Sequence, residues 1–275
     1  MCGIRIRRDR CRCLMTLVWG ERMYVFTCKD QYEDKLCCIF AAWEKALTVG
    51  HDQIRLCVEP VKQYTLFEEY THVAYQEEQY QRVRTAIRTK LSEHILFQIH
   101  YASLSCEDDA LWTIYRFLVK GFRLGRSCMK QYEDPDVMRF VALLRSVSNE
   151  AHHFREFARF TSINDHVYVC HLEPKSNIIE IVGNHFADRM PSEHFMIIDD
   201  NRGTAVVHPK DGQNYLRILT DEEREILSKT EQQEDQFTTL WKTFVKAIAI
   251  SQRANYNCQR NLMPLWTRKH MTEFI

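Results

Sequence analysis

The chain has 275 residues, which suffices for one or two compact domains. Hydrophobic residues make up 45% of the sequence and charged residues 27%, so a disordered, collagen-like or coiled-coil protein is excluded. The 37 basic residues balance the 37 acidic ones. Any attraction to nucleic acid or to anionic lipid must therefore come from local patches rather than from net charge.

Several common site types are absent from the sequence. With 8 glycines, no two of them separated by a single residue, the chain contains neither a dinucleotide-binding G-x-G-x-x-G loop nor a Walker phosphate loop. The 11 cysteines include no Cys-x-x-Cys pair, so zinc ribbons and cysteine-ligated iron–sulfur clusters lack their usual spacing. An odd cysteine count without a secretory signal predicts reduced thiols and a cytoplasmic location. The apolar runs are far shorter than the roughly 20 residues of a membrane helix, so no membrane contact is predicted.

The N-terminal part of the chain begins with a basic extension at residues 1–22, which contains six arginines and only two acidic residues. Two interpretations remain open: a translated leader that precedes Met23, or an arm that binds nucleic acid. A strand at Tyr24–Phe26, a helix from Asp30 to about Leu47 and a strand at Ile54–Val58 follow. These elements predict a β-α-β opening.

Helical periodicity dominates the middle of the chain, from about residue 76 to residue 160. The strands predicted after it are Val167–Leu172, Ile178–Val182, Met196–Asp199 and Thr204–Val207, and the last two flank a hairpin turn. A helix at 236–250 and a basic tail at 253–270 follow. The predicted fold class is α+β, with a core domain at 23–219 and a C-terminal helical segment with a basic tail at 220–275.

The helix predicted at 107–124 has a polar face with one aromatic and three cationic side chains. This face contains Trp112, Arg116, Lys120 and Arg123. Cations of this kind hold phosphates, and an exposed indole stacks on an unpaired base, so the face is a candidate nucleic-acid contact. The alternative is an ordinary solvated helix face with a tryptophan at its edge.

The helix predicted from Pro135 to Phe160 carries a second polar stripe. Its members are Arg145, Asn149, His152, Glu156 and Arg159. The arginines and the amide suit phosphate binding, and His152 and Glu156 are the candidates for proton transfer. The alternative is a ladder of charge pairs along one helix.

No metal site and no cofactor are predicted. Glu173-Pro174-Lys175 and Pro135-Asp136 resemble pieces of a metal-dependent nuclease motif, but Asp136 begins a helix and Pro174 interrupts a strand. The region around the hairpin provides a further candidate site or interface, whose members are Asp188, Arg189, Arg202 and His208.

Five blocks of sequence resemble the bacterial "probable DNA metabolism protein" family over about residues 23–275. They are YRFL at 115–118, GFRLG at 121–125, NEAHHFREF at 149–157, HFADR at 185–189 and RKHMTEF at 268–274. The resemblance implies a role in DNA repair or modification and a radical-SAM protein, encoded nearby, as partner. It also implies an association with a uracil-DNA glycosylase-like domain, to which some members are fused. The 56 residues after Leu219 are too few for such a domain, so glycosylase activity is not expected here.

Three hypotheses about function follow. The first is a DNA-binding accessory protein that presents a lesion to the radical-SAM partner and uses the two polar helix faces. The second is a metal-dependent nuclease or nucleotide-processing enzyme, and only this hypothesis requires a divalent metal. Its candidate groups are His152, Glu156, Asp188, Asp199 and Asp200. The third is a scaffold that contacts only protein.

Overall fold

The computed structural model describes residues 22–163, 166–230 and 236–274. The fold is α+β, as predicted. The predicted basic extension lies outside the described residues except for Arg22. Contacts divide the chain into two compact units, one up to Tyr80 and one from Gln81 onward, and each is described separately. The predicted division into 23–219 and 220–275 stays a prediction.

The first unit contains a three-stranded parallel sheet covered by one helix. In chain order its elements are β1 (Met23–Cys28), α1 (Tyr32–Val49), β2 (Ile54–Val58) and β3 (Glu68–His72). Strand β1 lies between β2 and β3 and is parallel to both. The predicted β-α-β opening is therefore confirmed, and β3 is an additional strand. Its polar sequence, EEYTH, lacks the apolar alternation that predicts a strand.

The second unit begins with helices. They are α2 (Glu77–Lys90, which starts before the division), α3 (Glu93–Ser103), α4 (Ala110–Leu124) and α5 (Pro135–Phe157). Asp134 caps α5 by accepting hydrogen bonds from the N–H groups of Asp136 and Val137, and Pro135 occupies the first helical position. Phe117 of α4 and Phe140 of α5 stack with ring centres 3.9 Å apart, which fixes the two helices against each other.

A five-stranded sheet follows the helices. Its strands are β4 (Thr161–Ile163), β5 (Val167–Leu172), β6 (His194–Asp199), β7 (Thr204–His208) and β8 (Tyr215–Ile218). The helix α6 (Ile179–Arg189) connects β5 to β6. The strand order is β4-β5-β6-β7-β8, and only β5 and β6 are parallel. The hairpin of β6 and β7 is confirmed.

The strand predicted at residues 178–182 is wrong, because these residues begin α6. The run Ile178-Ile179-Glu180-Ile181-Val182 is rich in β-branched residues, which favours a strand locally. Tertiary packing overrides this preference, since Ile178, Ile179 and Val182 are buried in the core against the sheet. As a helix, the segment forms the crossover that two parallel strands require.

The remaining elements are helical: α7 (Asp221–Thr230), α8 (Gln236–Ile248) and α9 (Tyr256–Leu262). The helix predicted at 236–250 is thus confirmed as α8. Within the described ranges, every helix is too short or too polar to cross a membrane.

Gly183 of α6 is a position where a side chain does not fit. A Cβ at this residue would lie 2.5 Å from Cγ1 of Val206, a buried and stiff side chain of β7. We expect Gly183→Ala to lower the free energy of unfolding by about 1–3 kcal/mol, despite the better helix propensity of alanine. Urea unfolding measures this effect, with Glu180→Ala on the exposed face of the same helix as control. An unchanged midpoint for Gly183→Ala would contradict the packing argument.

Candidate functional site

Two carboxylates lie side by side where the parallel strands end. Glu173 directly follows β5 and Asp200 directly follows β6. The last residues of these strands, Leu172 and Asp199, are paired in the sheet, and the N–H of Asp200 donates to the carbonyl of Leu172 at 2.9 Å. The carboxyl ends of neighbouring parallel strands are where α/β units commonly bind ligands.

Two histidines complete this group. His270 comes from the C-terminal tail, and a donor atom of its ring lies within 4.8 Å of carboxylate oxygens of both Glu173 and Asp200. His171, which is 5% exposed, shares its Nδ1 with the two oxygens of Asp200 at 3.2 and 3.1 Å. The rings of His171 and His270 are stacked with centres 6.3 Å apart. We call Glu173, Asp200 and His270, with His171 behind Asp200, the carboxylate–histidine cluster.

The chemistry of the cluster fits a divalent cation. Carboxylate oxygen and imidazole nitrogen are the ligands that Mn²⁺ and Zn²⁺ accept together. Two donors bound to one ion at roughly 2.1 Å lie roughly 3–4 Å apart, so a spacing within 4.8 Å needs only small side-chain movements. The ammonium of Lys269 contacts Glu173 and supplies positive charge at the same carboxylate. A cation would replace that lysine contact.

The loop that carries Glu173 is fixed by a buried carboxylate. Glu150 of α5 is 8% exposed and accepts hydrogen bonds from the N–H groups of Lys175 at 2.6 Å and Ser176 at 3.1 Å. Because this acceptor satisfies two donors of the loop, the backbone next to Glu173 has one defined position.

A second set of contacts joins this loop to the turn that carries Asp200. Arg202 donates to the carbonyls of Pro174 at 3.0 Å and Lys175 at 2.5 Å, and also to Asp199 at 2.9 Å. Burial raises the pKa of Asp199, and the Arg202 guanidinium opposes this shift. Glu150, Asp199 and Arg202, which we call the loop clamp, therefore hold the two carboxylate-bearing segments together.

The predicted nucleic-acid face of α4 is largely charge-paired. The Arg116 guanidinium lies 3.3 Å from Asp136 and 5.7 Å from the centre of the Trp112 ring. The Lys120 ammonium lies 2.9 Å from Asp134, and this hydrogen bond lowers the pKa of that carboxyl. Two aspartates at the start of α5 thus offset two of the predicted phosphate contacts.

Arg123 completes the α4 face and is exposed to solvent.

The predicted stripe on α5 divides into three parts. Arg145 and Asn149 are exposed. His152 and Glu156 are paired at 3.1 Å on the surface, as helix neighbours four residues apart. Arg159 instead binds Glu273 of the C-terminal tail at 3.1 and 2.5 Å.

The Arg159–Glu273 pair provides a pH-dependent tether for the tail. Burial raises the pKa of Glu273, but the Arg159 guanidinium, a backbone hydrogen bond and the Trp241 hydrogen bond together lower it, and the net pKa lies below the ordinary 4.5. A carboxyl with a lowered folded-state pKa stabilises the fold above its unfolded value, and this contribution is lost as the pH falls through the folded pKa.

We expect Glu273→Gln to lower the free energy of unfolding at neutral pH by about 1–3 kcal/mol, or about 2–4 °C in Tm per kcal/mol. The difference from the wild type should shrink below pH about 4.5. Thermal melts across pH test this, with exposed Glu193→Gln as control. A difference that stays constant down to strongly acidic pH would contradict the tether.

The candidate residues around the hairpin have different environments. Asp188 and Arg189 are exposed at the end of α6. His208 is 3% exposed, with its Nδ1 2.9 Å from the side-chain oxygen of Asn214 and its ring stacked on Phe195 at 4.7 Å. Arg202 belongs to the loop clamp.

The sequence pattern indicated Glu173 and Asp200 in separate candidate sets but did not join them, and it missed His171 and His270. A usable signal exists, because a carboxylate immediately follows each of two buried strands. The wrong strand at 178–182 concealed that these strands are parallel neighbours.

Comparison with family models assigns the chain to a protein family. The family model described as a domain of unknown function, DUF4130, matches residues 108–273, which is more than half of the chain. The chain belongs to the DUF4130 family. The DUF4130 match includes the carboxylate–histidine cluster, the loop clamp and both predicted helix faces. Neither the curated proteins nor the solved structures yield a significant match.

Proposed function

We propose that this protein is a divalent-metal-dependent nuclease that acts in DNA repair or modification. The carboxylate–histidine cluster carries the proposal, because Glu173, Asp200 and His270 place three metal-ligating atoms within 4.8 Å of one another. A bound cation polarises a phosphoryl oxygen and lowers the pKa of a coordinated water. DNA as the substrate class rests on the resemblance to the DNA metabolism family.

The proposed reaction is hydrolysis of one phosphodiester bond. Water adds its oxygen to phosphorus, the bond from phosphorus to the leaving oxygen breaks, and one water proton ends on that oxygen. Glu173, Asp200 and His270 would hold the ion, and the Nδ1 contact of His171 would fix Asp200 in position. Lys269, next to Glu173, is placed to neutralise phosphate charge once the ion binds that carboxylate.

The test is cleavage of fluorescent DNA by the full chain. The substrates are single-stranded, duplex, uracil-containing and abasic DNA, each with Mn²⁺, Mg²⁺, Zn²⁺ or EDTA. We expect cleavage that requires a divalent cation and stops with EDTA. Absence of cleavage with every cation, or cleavage that EDTA leaves unchanged, would contradict the nuclease.

A DNA-binding accessory role beside a radical-SAM partner is the second candidate. It is favoured by Trp112, which is partly exposed, stacks on Tyr115 at 5.6 Å and lies beside Arg116. Under this role, Arg123→Ala should weaken DNA binding and reduce its salt dependence by about one counterion. Co-purification with the radical-SAM protein, with or without a uracil-DNA glycosylase, tests the partners. The protein-only scaffold stays a prediction.

A further inference from the structure

The C-terminal tail contains an open groove of about 730 Å³. It is lined by Asn257, Arg260, Asn261, Pro264, Leu265 and Trp266. The volume falls in the range of ordinary ligand sites. Of these six described residues, one is cationic and none is acidic. The lining therefore suits an anionic ligand that also has apolar and hydrogen-bonding parts.

The chemistry of the lining matches a nucleotide in a single strand. Trp266 is 37% exposed and offers an aromatic surface on which a base stacks. Asn257 and Asn261 are four residues apart on α9, so their amides share one face and can bind base edges. Arg260 provides a guanidinium for the phosphate.

The groove adjoins the loop that carries Glu173. The Lys175 ammonium lies 5.0 Å from the centre of the Trp266 ring, and Lys175 follows Glu173 by two residues. Trp266 itself precedes His270 by four residues in the same tail. The tail that lines the groove therefore continues to His270, and its Trp266 contacts the loop that follows Glu173.

We propose that this groove binds a single-stranded DNA segment and directs its phosphate toward the carboxylate–histidine cluster. The inference rests on the proposed nuclease and names its substrate class. A duplex is not expected to bind there, because its bases are already stacked and cannot reach the Trp266 ring. Lys175, whose ammonium lies 5.0 Å from the centre of that ring, supplies positive charge beside the base site.

The test is fluorescence anisotropy of a short labelled oligothymidylate with the full chain in EDTA, across a salt series. We expect the oligothymidylate to bind about tenfold tighter than a duplex hairpin of equal length, and Trp266→Ala to lose about tenfold in affinity. Arg260→Ala should weaken binding and reduce the slope of the logarithm of the binding constant against the logarithm of the salt concentration by about one. Tyr132→Ala, which removes an aromatic side chain that is 65% exposed elsewhere, should bind like the wild type.

Two controls keep the result interpretable. Trp266 packs edge-to-face on Phe154 with ring centres 5.6 Å apart, so Trp266→Ala is compared with Trp266→Phe, which keeps a stacking surface and should restore binding. Arg260 is exposed, so Arg260→Ala should leave the melting temperature unchanged. Wild-type affinity in both Trp266→Ala and Arg260→Ala, or equal affinity for the duplex, would overturn the proposal that the groove binds single-stranded DNA.

The binding experiment and the cleavage experiment test the groove and the nuclease separately. Oligothymidylate binding in EDTA that depends on Trp266, without cleavage in any metal, contradicts the nuclease and supports the groove. Metal-dependent cleavage with wild-type efficiency in Trp266→Ala and Arg260→Ala supports the nuclease and overturns the groove.

Discussion

Asp200→Asn and His270→Ala should each lower the affinity for Mn²⁺ by about 100-fold or more and abolish metal-dependent DNA cleavage. Loss of outer-shell partners alone typically reduces metal affinity by about 10–100-fold, and these variants remove direct ligands. The Asp200 side chain is 31% exposed and asparagine keeps its size, so Asp200→Asn leaves no cavity. The His270 side chain is 13% exposed, so the melting temperature of His270→Ala is measured together with its Mn²⁺ affinity.

Isothermal titration with Mn²⁺ and the cleavage assay measure the two effects. Glu193→Gln, an exposed carboxylate elsewhere in the same unit, is the matched control and should behave like the wild type. His171→Gln should give an intermediate loss of about 10–100-fold, because His171 positions Asp200 without being one of the three ligands. Wild-type Mn²⁺ affinity in Asp200→Asn and His270→Ala would contradict the proposed metal site.

Glu150→Ala should have the largest effect on stability. It leaves the N–H groups of the half-buried Lys175 contact and the buried Ser176 contact without their acceptor, and an unsatisfied buried donor costs about 1–3 kcal/mol. We expect the free energy of unfolding to fall by about 2–5 kcal/mol. Because the loop then loses its fixed position, the affinity for Mn²⁺ should fall as well.

Urea unfolding and Mn²⁺ titration check this prediction together. Glu150→Gln keeps one acceptor oxygen and should be less destabilised than Glu150→Ala. Ser148→Ala, on the exposed side of the same helix, is the control for a change in α5 that touches no buried contact. Equal unfolding midpoints for Glu150→Ala and Ser148→Ala would show that the loop does not depend on Glu150.

Much of the fold could be predicted because its signals are local. The cap Asp134 followed by Pro135 marks the start of α5, and the turn before Gly203 marks the β6–β7 hairpin. The run at 178–182 shows where local signals fail. Its β-branched residues favour a strand, but burial against the sheet requires a helix there.

The site depends on contacts that helical or strand periodicity does not encode. The pattern correctly put Arg116 and Lys120 on one face of α4, but it could not show that Asp134 and Asp136 lie against them. Similarly, His270 is separated from Glu173 by 97 positions in the chain, and only the folded tail brings them together. The strand ends therefore indicate the two carboxylates, whereas only the folded structure brings His270 to them.

The tail contributes His270 to the carboxylate–histidine cluster and is held in place by separate contacts. Met271, beside His270, is buried, and Glu273 binds Arg159. If the cluster binds an ion as proposed, metal binding and tail docking are linked equilibria, since an ion that needs His270 binds only the docked form. An ion present at about 100 times its dissociation constant would stabilise that form by about 2.7 kcal/mol. The free concentration of the ion would then set the fraction of molecules whose tail is docked.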